Sequence, residues 1–170
     1  SATATRTAYF VDLIKDTKTI ILDTRKTIPG LRSAQKYAVR VGGGTNHRQG
    51  LYDAILIKEN HIKACESITK AIQAARAQVD IKVMIEVENL AELAEAIAAG
   101  ATHIMLDNFS IHHMIEAVKI KPETVKLEAS GGINEHNIHE VAQTGVDYIS
   151  LGTLTKDIKA IDLSLLFKHF

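Results

Sequence analysis

Apolar positions along the chain fall into two alternating kinds of run. Short, nearly continuous ones rich in β-branched and aliphatic residues occur at Thr19–Leu22, Ala54–Ile57, Lys82–Val87, His103–Leu106, Val125–Leu127 and Tyr148–Leu151. Continuity, rather than strict alternation, is the signature of parallel strands covered on both faces. Between them lie helical patterns. Leu90, Leu93, Ala94, Ile97 and Ala98 form an amphipathic stripe, with Asn89 and Glu92 as its capping signal and Gly100 as its stop. Ile62, Cys65, Ile68, Ile72 and Ala75 predict a second helix. Ser110 caps a third, carrying Ile111, Met114, Ile115 and Val118 on its inner face. Ile138, Val141 and Ala142 mark a fourth, closed by Gly145.

Strand alternating with helix predicts a parallel α/β fold. Each strand finishes on a polar or glycine position: Asp23 with Arg25 and Lys26, then Lys58, Glu88, Asp107, Ser130 with Gly131 and Gly132, and Gly152 with Thr153. In an open doubly wound sheet only the ends near the switch point share a site. In a barrel all the ends converge on one mouth. Polar residues at every end therefore favour a small or incomplete TIM-like β/α barrel of about six or seven strands, with residues 1–170 forming one domain.

Composition narrows the function classes. Lys plus Arg and Asp plus Glu both number 20, so no overall basic excess points to nucleic acid, and aromatics are 5% with no Trp. No apolar run reaches the roughly 20 residues of a membrane span, and residues 1–6 lack the apolar stretch of a secretory signal. The single cysteine, Cys65, excludes an intrachain disulfide and fits a reducing, cytoplasmic setting. It falls on a helix stripe, as a buried, inert thiol would.

The balanced totals hide a local cluster: Arg25, Lys26, Arg32, His47, Arg48 and Lys58. At a barrel mouth such a set suits a ligand with several carboxylates or phosphates, which Arg forks match bidentately; the alternative is a solvated charge run. Glu86, Glu88 and Asp107 are the acidic counterpart. Glu86 and Glu88 share strand parity and so point to one side. Beside a phosphate site such carboxylates hold Mg²⁺, or else they pair internally with the cations. The loops at Ser130-Gly131-Gly132 and Gly152-Thr153 follow the last two strands, where barrels bind phosphate. Gly42-Gly43-Gly44 lacks dinucleotide-loop spacing. His112, His113, His136 and His139 show no zinc spacing and read as surface or structural residues.

Longer motifs carry a resemblance. Asp23-Thr24-Arg25-Lys26-Thr27-Ile28-Pro29-Gly30-Leu31-Arg32, Gly42-Gly43-Gly44 with Asn46-His47-Arg48, and Leu56-Ile57-Lys58-Glu59-Asn60-His61 resemble the quinolinate phosphoribosyltransferase family. So do Glu86-Val87-Glu88, Leu106-Asp107-Asn108-Phe109, Leu127-Glu128-Ala129-Ser130-Gly131-Gly132-Ile133 and Gly152-Thr153-Leu154-Thr155. The resemblance spans essentially the whole chain. It implies transfer of phosphoribosyl from phosphoribosyl pyrophosphate to quinolinate with decarboxylation, giving nicotinate mononucleotide, CO₂ and pyrophosphate in NAD synthesis, with Mg²⁺.

By that resemblance Arg25, His47, Arg48 and Lys58 hold the quinolinate carboxylates. Lys26, Glu88 and Asp107 are catalytic: Lys26 contacts the donor, and the two acids flank its ribose and Mg²⁺. Ser130, Gly131 and Gly152 cradle the 5-phosphate. Family members also carry an N-terminal α+β domain that this chain lacks, and a homo-oligomeric partner, in a dimer or its multiples, completes the site with an arginine from that domain. Two other readings stand beside this one: a related phosphoribosyltransferase acting on another pyridine acid, and a non-catalytic phosphosugar-binding barrel.

Overall fold

The computed structural model describes residues 1–78 and 80–168. It begins with α1 (Ala2–Leu13), β1 (Ile20–Leu22), α2 (Arg32–Val41) and β2 (Ala54–Ile57), followed by α3 (Glu59–Cys65) and α4 (Ile68–Gln78). Four further strand–helix pairs complete it: β3 (Lys82–Val87) with α5 (Leu90–Ala98), β4 (His103–Asp107) with α6 (Ile111–Ile120), β5 (Lys126–Ser130) with α7 (Ile138–Gln143), and β6 (Tyr148–Ser150) with α8 (Thr153–Lys156). Among the described residues no helix is long and apolar enough to cross a membrane.

All pairings are parallel, in the order β1-β6-β5-β4-β3-β2. That is the sequential order of a rolled-up β/α sheet, with β1 and β2 left at the two edges. A parallel bridge from Leu22 to Thr45 adds a further rung beside β1. The expected barrel of six or seven strands is therefore realised in an incomplete form.

Strand parity sorts the side chains into two cores. Ile21, Ile57, Ile85, Val87, Ile104, Leu106, Leu127, Ala129 and Ile149 pack outward against the helices in the main core. The opposite parity gives a small inner cluster of Ala54, Leu56, Met84 and Met105. The inner face is thus sparsely apolar, which leaves room for polar chemistry above it.

The caps form as the sequence predicts. Asn89 Oδ1 accepts from Glu92 N–H at 2.9 Å, and Ser110 Oγ from His113 N–H at 3.2 Å. The stripe from Ile62 to Ala75, however, belongs to two helices rather than one. Glu66 adopts φ 67°, and Ser67 Oγ accepts from Lys70 N–H at 3.2 Å to start α4 afresh. Cys65, at the end of α3, is consequently only partly buried. The glycine run after α2 serves packing: a Cβ on Gly42 would stand 2.6 Å from Thr7 Cβ, so only glycine lets α1 lie this close.

Candidate active site

The strand ends open on a basin of about 330 Å³, lined by Arg25, Lys26, Arg48, Lys58, Asp107 and Ser130 among others. His47, Glu86, Glu128 and Ser150 complete its polar wall. Each position follows from strand register. Asp107 is level with Ser130, Glu128 with Tyr148, and Ser150 with Leu22, so the inward parity of four strands rises to one mouth.

Two of the basic residues, His47 and Arg48, are held by the loop that joins α2 to β2 and bridges β1 at Thr45. Asp23 is completely buried and does not face the mouth with Arg25 and Lys26 as its place at the strand end suggested. It forms an ion pair with Lys36 of α2, which is 2% exposed. Its carboxylate also accepts from Asn46 Nδ2 at 2.6 Å and from the His47 backbone N–H at 2.8 Å. Lys36 Nζ in turn donates to the His47 carbonyl at 2.9 Å. Burial pushes the Asp23 carboxyl up, and Lys36, Asn46 and the His47 N–H draw it back. This buried clamp fixes residues 46–48 and so presents His47 and Arg48.

Arg32 acts on the neighbouring loop rather than on the basin. Its guanidinium donates to Thr27 Oγ1 at 3.1 Å, the Arg25 carbonyl at 3.2 Å and the Gln49 carbonyl at 3.3 Å. Arg48 Nη1 donates to the Ala54 carbonyl at 2.8 Å. Burial and then the nearby Arg25 charge lower the Arg48 pKa. Among the described residues, no carboxylate forms an ion pair with Arg25, Lys26 or Arg48. Cations crowded and left unpaired in a concave site raise its affinity for anions.

The acidic residues divide differently from the expectation. Glu86 lines the basin and pairs with Lys58. Glu88, expected there with Asp107, lies instead in an adjoining cleft with Glu59, Ile62, Lys63 and Glu92, a cleft that Glu86 borders from the basin side. The strand ends at Val87, and the Glu88 backbone N–H donates to Glu92 Oε2 at 2.8 Å as the chain turns into α5. Asp107 stays on the basin wall, where its Oδ2 accepts from Asn108 Nδ2 at 2.9 Å.

Ser130 lines the basin directly, whereas Gly131 shapes the turn that follows it. Gly131 has φ +90°, and a Cβ there would drive into the Asn108 side chain that braces Asp107. Gly152 packs near Lys26 and Lys156. The surface histidines are where the sequence put them: His139 Nε2 lies 3.0 Å from Asp16, and His112 and His113 are exposed on α6, grouped with Glu116.

Sequence reasoning missed the floor of the basin. Glu128 is 0% exposed in mid-strand, 2.7 Å from His103 Nε2 and 3.3 Å from His47 Nε2. The signal was a carboxylate sharing parity with Ser130 and set between the apolar Leu127 and Ala129. Burial alone would raise this carboxyl's pKa; hydrogen bonds and charge from His103 and His47 outweigh it and bring the pKa down to about 2. An unfolded glutamate takes up its proton near pH 4.5. The resulting stabilisation, about 3 kcal/mol, is complete above that pH and is lost as pH falls toward 2. Denaturant unfolding at pH 5 and at pH 3 will show this loss, and Glu128→Gln will flatten the acid limb.

Comparison with known proteins places this geometry. Residues 3–166 match the family model described as quinolinate phosphoribosyl transferase, C-terminal domain. The chain is 51% identical over 169 residues to a probable nicotinate-nucleotide pyrophosphorylase (carboxylating) of Bacillus subtilis, covering 97% of this chain and 58% of that protein. It is 46% identical to the nicotinate-nucleotide pyrophosphorylase (carboxylating) of Mycobacterium leprae, covering 97% and 60%. The solved nicotinate-nucleotide pyrophosphorylase of Francisella tularensis superposes with a TM-score of 0.93 at 56% identity, over 96% of this chain and 59% of that one. The chain thus spans about three-fifths of the length of these relatives.

Proposed function

The chain belongs to the quinolinate phosphoribosyl transferase family, through its C-terminal domain, and from that premise we propose that its basin transfers phosphoribosyl to quinolinate with decarboxylation. The observation that carries this reading is the set of cations, Arg25, Lys26 and Arg48, that line one basin with no carboxylate paired to them among the described residues. Such a basin suits a dicarboxylate acceptor beside a polyphosphorylated donor.

In this mechanism Arg25 and Arg48 hold the acceptor carboxylates and turn its ring nitrogen toward the ribose. Lys58, tied to Glu86 across β2 and β3, borders the same pocket. The ring nitrogen forms a bond to ribose C1 as the C1–oxygen bond to pyrophosphate breaks with its electron pair. Glu86 and Asp107 stabilise the positive charge that develops on the ribose, while Lys26 neutralises the departing phosphates. As the adjacent carboxylate departs as CO₂, the bonding electron pair stays on the ring carbon, where the neighbouring positive nitrogen stabilises it. That pair then binds a proton from water.

The donor set fits Mg²⁺, because Asp107 and Glu86 offer hard carboxylate oxygens beside the place for the phosphates. When bound, Mg²⁺ supplies charge neutralisation for the leaving group. Ser130 and the backbone at Gly131 and Gly152 receive the 5-phosphate. The remaining two-fifths of the relatives' length corresponds to a further domain, from which a partner subunit completes the acceptor site in a homo-oligomer of the whole enzyme.

The test is selective binding. Removing a charge-assisted hydrogen bond costs about 1.5–3 kcal/mol, so Arg48→Ala will weaken quinolinate binding about tenfold to a hundredfold. Phosphoribosyl pyrophosphate affinity will change little. Calorimetry with each ligand decides: equal losses for both would overturn the assignment.

A further inference from the structure

Two loops that border the basin are joined behind its wall by a pair of buried polar side chains. Gln35, in α2, is 5% exposed, and Thr155, in α8, is 0% exposed. The Gln35 carboxamide uses both its ends. Its Oε1 accepts from the Ile28 backbone N–H at 2.7 Å, and its Nε2 donates to the Thr155 carbonyl at 2.7 Å. The Thr155 hydroxyl in turn donates to the Lys26 carbonyl at 2.7 Å. The Lys26 loop is thus bonded, on both sides of Thr27, to the segment that begins at Gly152.

The choice of acceptor by Thr155 is informative. A threonine within a helix ordinarily returns its hydroxyl to a carbonyl three or four residues back. Here the Gly152 carbonyl takes only the longer contact, 3.5 Å, and the 2.7 Å bond crosses to a residue 129 positions earlier in the chain. The two joined segments also touch at the basin. A Cβ on Gly152 would stand 3.6 Å from Lys26 Cδ, so the lysine stem runs along the Gly152 backbone.

We propose that Gln35 and Thr155 are positioning residues that set the spacing between two anion subsites of the basin, the Lys26 ammonium and the backbone at Gly152. Neither side chain lines the basin itself. A donor phosphorylated at both ends of a sugar must meet both subsites at once, and its covalent length fixes the separation it accepts. Holding that separation in advance removes the entropy loss of ordering two loops on binding. Arg25, on the acceptor side, is held separately: Arg32 Nη2 donates to its carbonyl at 3.2 Å. Loosening the staple therefore acts on the donor and spares the acceptor.

That phosphoribosyl pyrophosphate is the spanning molecule rests on the function proposed above; the staple does not, so the experiment reads the two apart. In the 170-residue chain the Ile28 N–H will exchange slowly with solvent, and in Gln35→Met, which removes its buried acceptor, at least about tenfold faster. Thr155→Val keeps the side-chain shape and removes the hydroxyl donor. In calorimetry it will weaken phosphoribosyl pyrophosphate about tenfold. Quinolinate, and inorganic pyrophosphate, which meets one subsite only, will stay within about twofold of wild type. Thr155→Ser, which restores the donor, will bring phosphoribosyl pyrophosphate back to within about twofold.

A folded Thr155→Val that keeps its donor affinity, loses quinolinate equally or is not rescued by serine would overturn the proposal. So would unchanged Ile28 exchange in Gln35→Met. Should Thr155→Val fail to fold, Gln35→Met carries the same three-ligand comparison. If Ile28 exchanges as stated but the wild-type chain binds no phosphoribosyl pyrophosphate, the staple stands and the donor reading of the basin falls.

Discussion

Asp23→Ala will cost the folded chain about 3–5 kcal/mol, because it strands a buried ammonium. Lys36 is 2% exposed, and its Nζ has the Asp23 carboxylate as its charge partner and the His47 carbonyl at 2.9 Å as its other acceptor. The substitution also leaves the His47 backbone N–H without its acceptor and takes one of two acceptors from Asn46 Nδ2, which keeps the Lys36 carbonyl at 2.8 Å. Desolvation of an unpaired charge, rather than the lost attraction, dominates the cost. Urea unfolding at neutral pH measures it. Lys36→Met in the Asp23→Ala background will recover part of the loss, since removing both charges is far milder than removing one. A loss below about 1 kcal/mol for Asp23→Ala would show that the loop at residues 46–48 is held by other contacts.

Glu86→Gln and Asp107→Asn will each lower turnover about a hundredfold, an effect of the size seen when one preorganised electrostatic group is removed, while Glu88→Gln will stay within about threefold. Glu86 and Asp107 line the basin, whereas Glu88 lies in the adjoining cleft beside Lys63. All three acids lie within 22 residues of sequence, so a diffuse negative field would make them interchangeable. A short-range role in stabilising the ribose would not. The assay is pyrophosphate release at saturating Mg²⁺. Equal losses in all three variants would reject the assignment of Glu86, and a large loss confined to Glu88→Gln would reinstate the expectation drawn from the motif alone.

The sequence by itself determined the elements and their class. Six continuous apolar runs became six parallel strands, within one to three residues at their ends, because strand and amphipathic helix are set by local periodicity and by caps such as Asn89 and Ser110. The cations of the basin were legible for the same reason: Arg25, Lys26, Arg48 and Lys58 sit where strands end or loops begin. Tertiary structure alone decided which side each polar residue faces and what it meets. Glu86 and Glu88 have equal parity, so a period of two cannot choose between them; the end of β3 at Val87 and the N–H of Glu88 turning to Glu92 do. Asp23 sits beside Arg25 in sequence yet faces α2, where Lys36 neutralises it. Glu128, His103 and His47 come from β5, β4 and a loop 56 residues before β4's first position. Their meeting depends on strand register across a rolled sheet, and no local pattern encodes that contact.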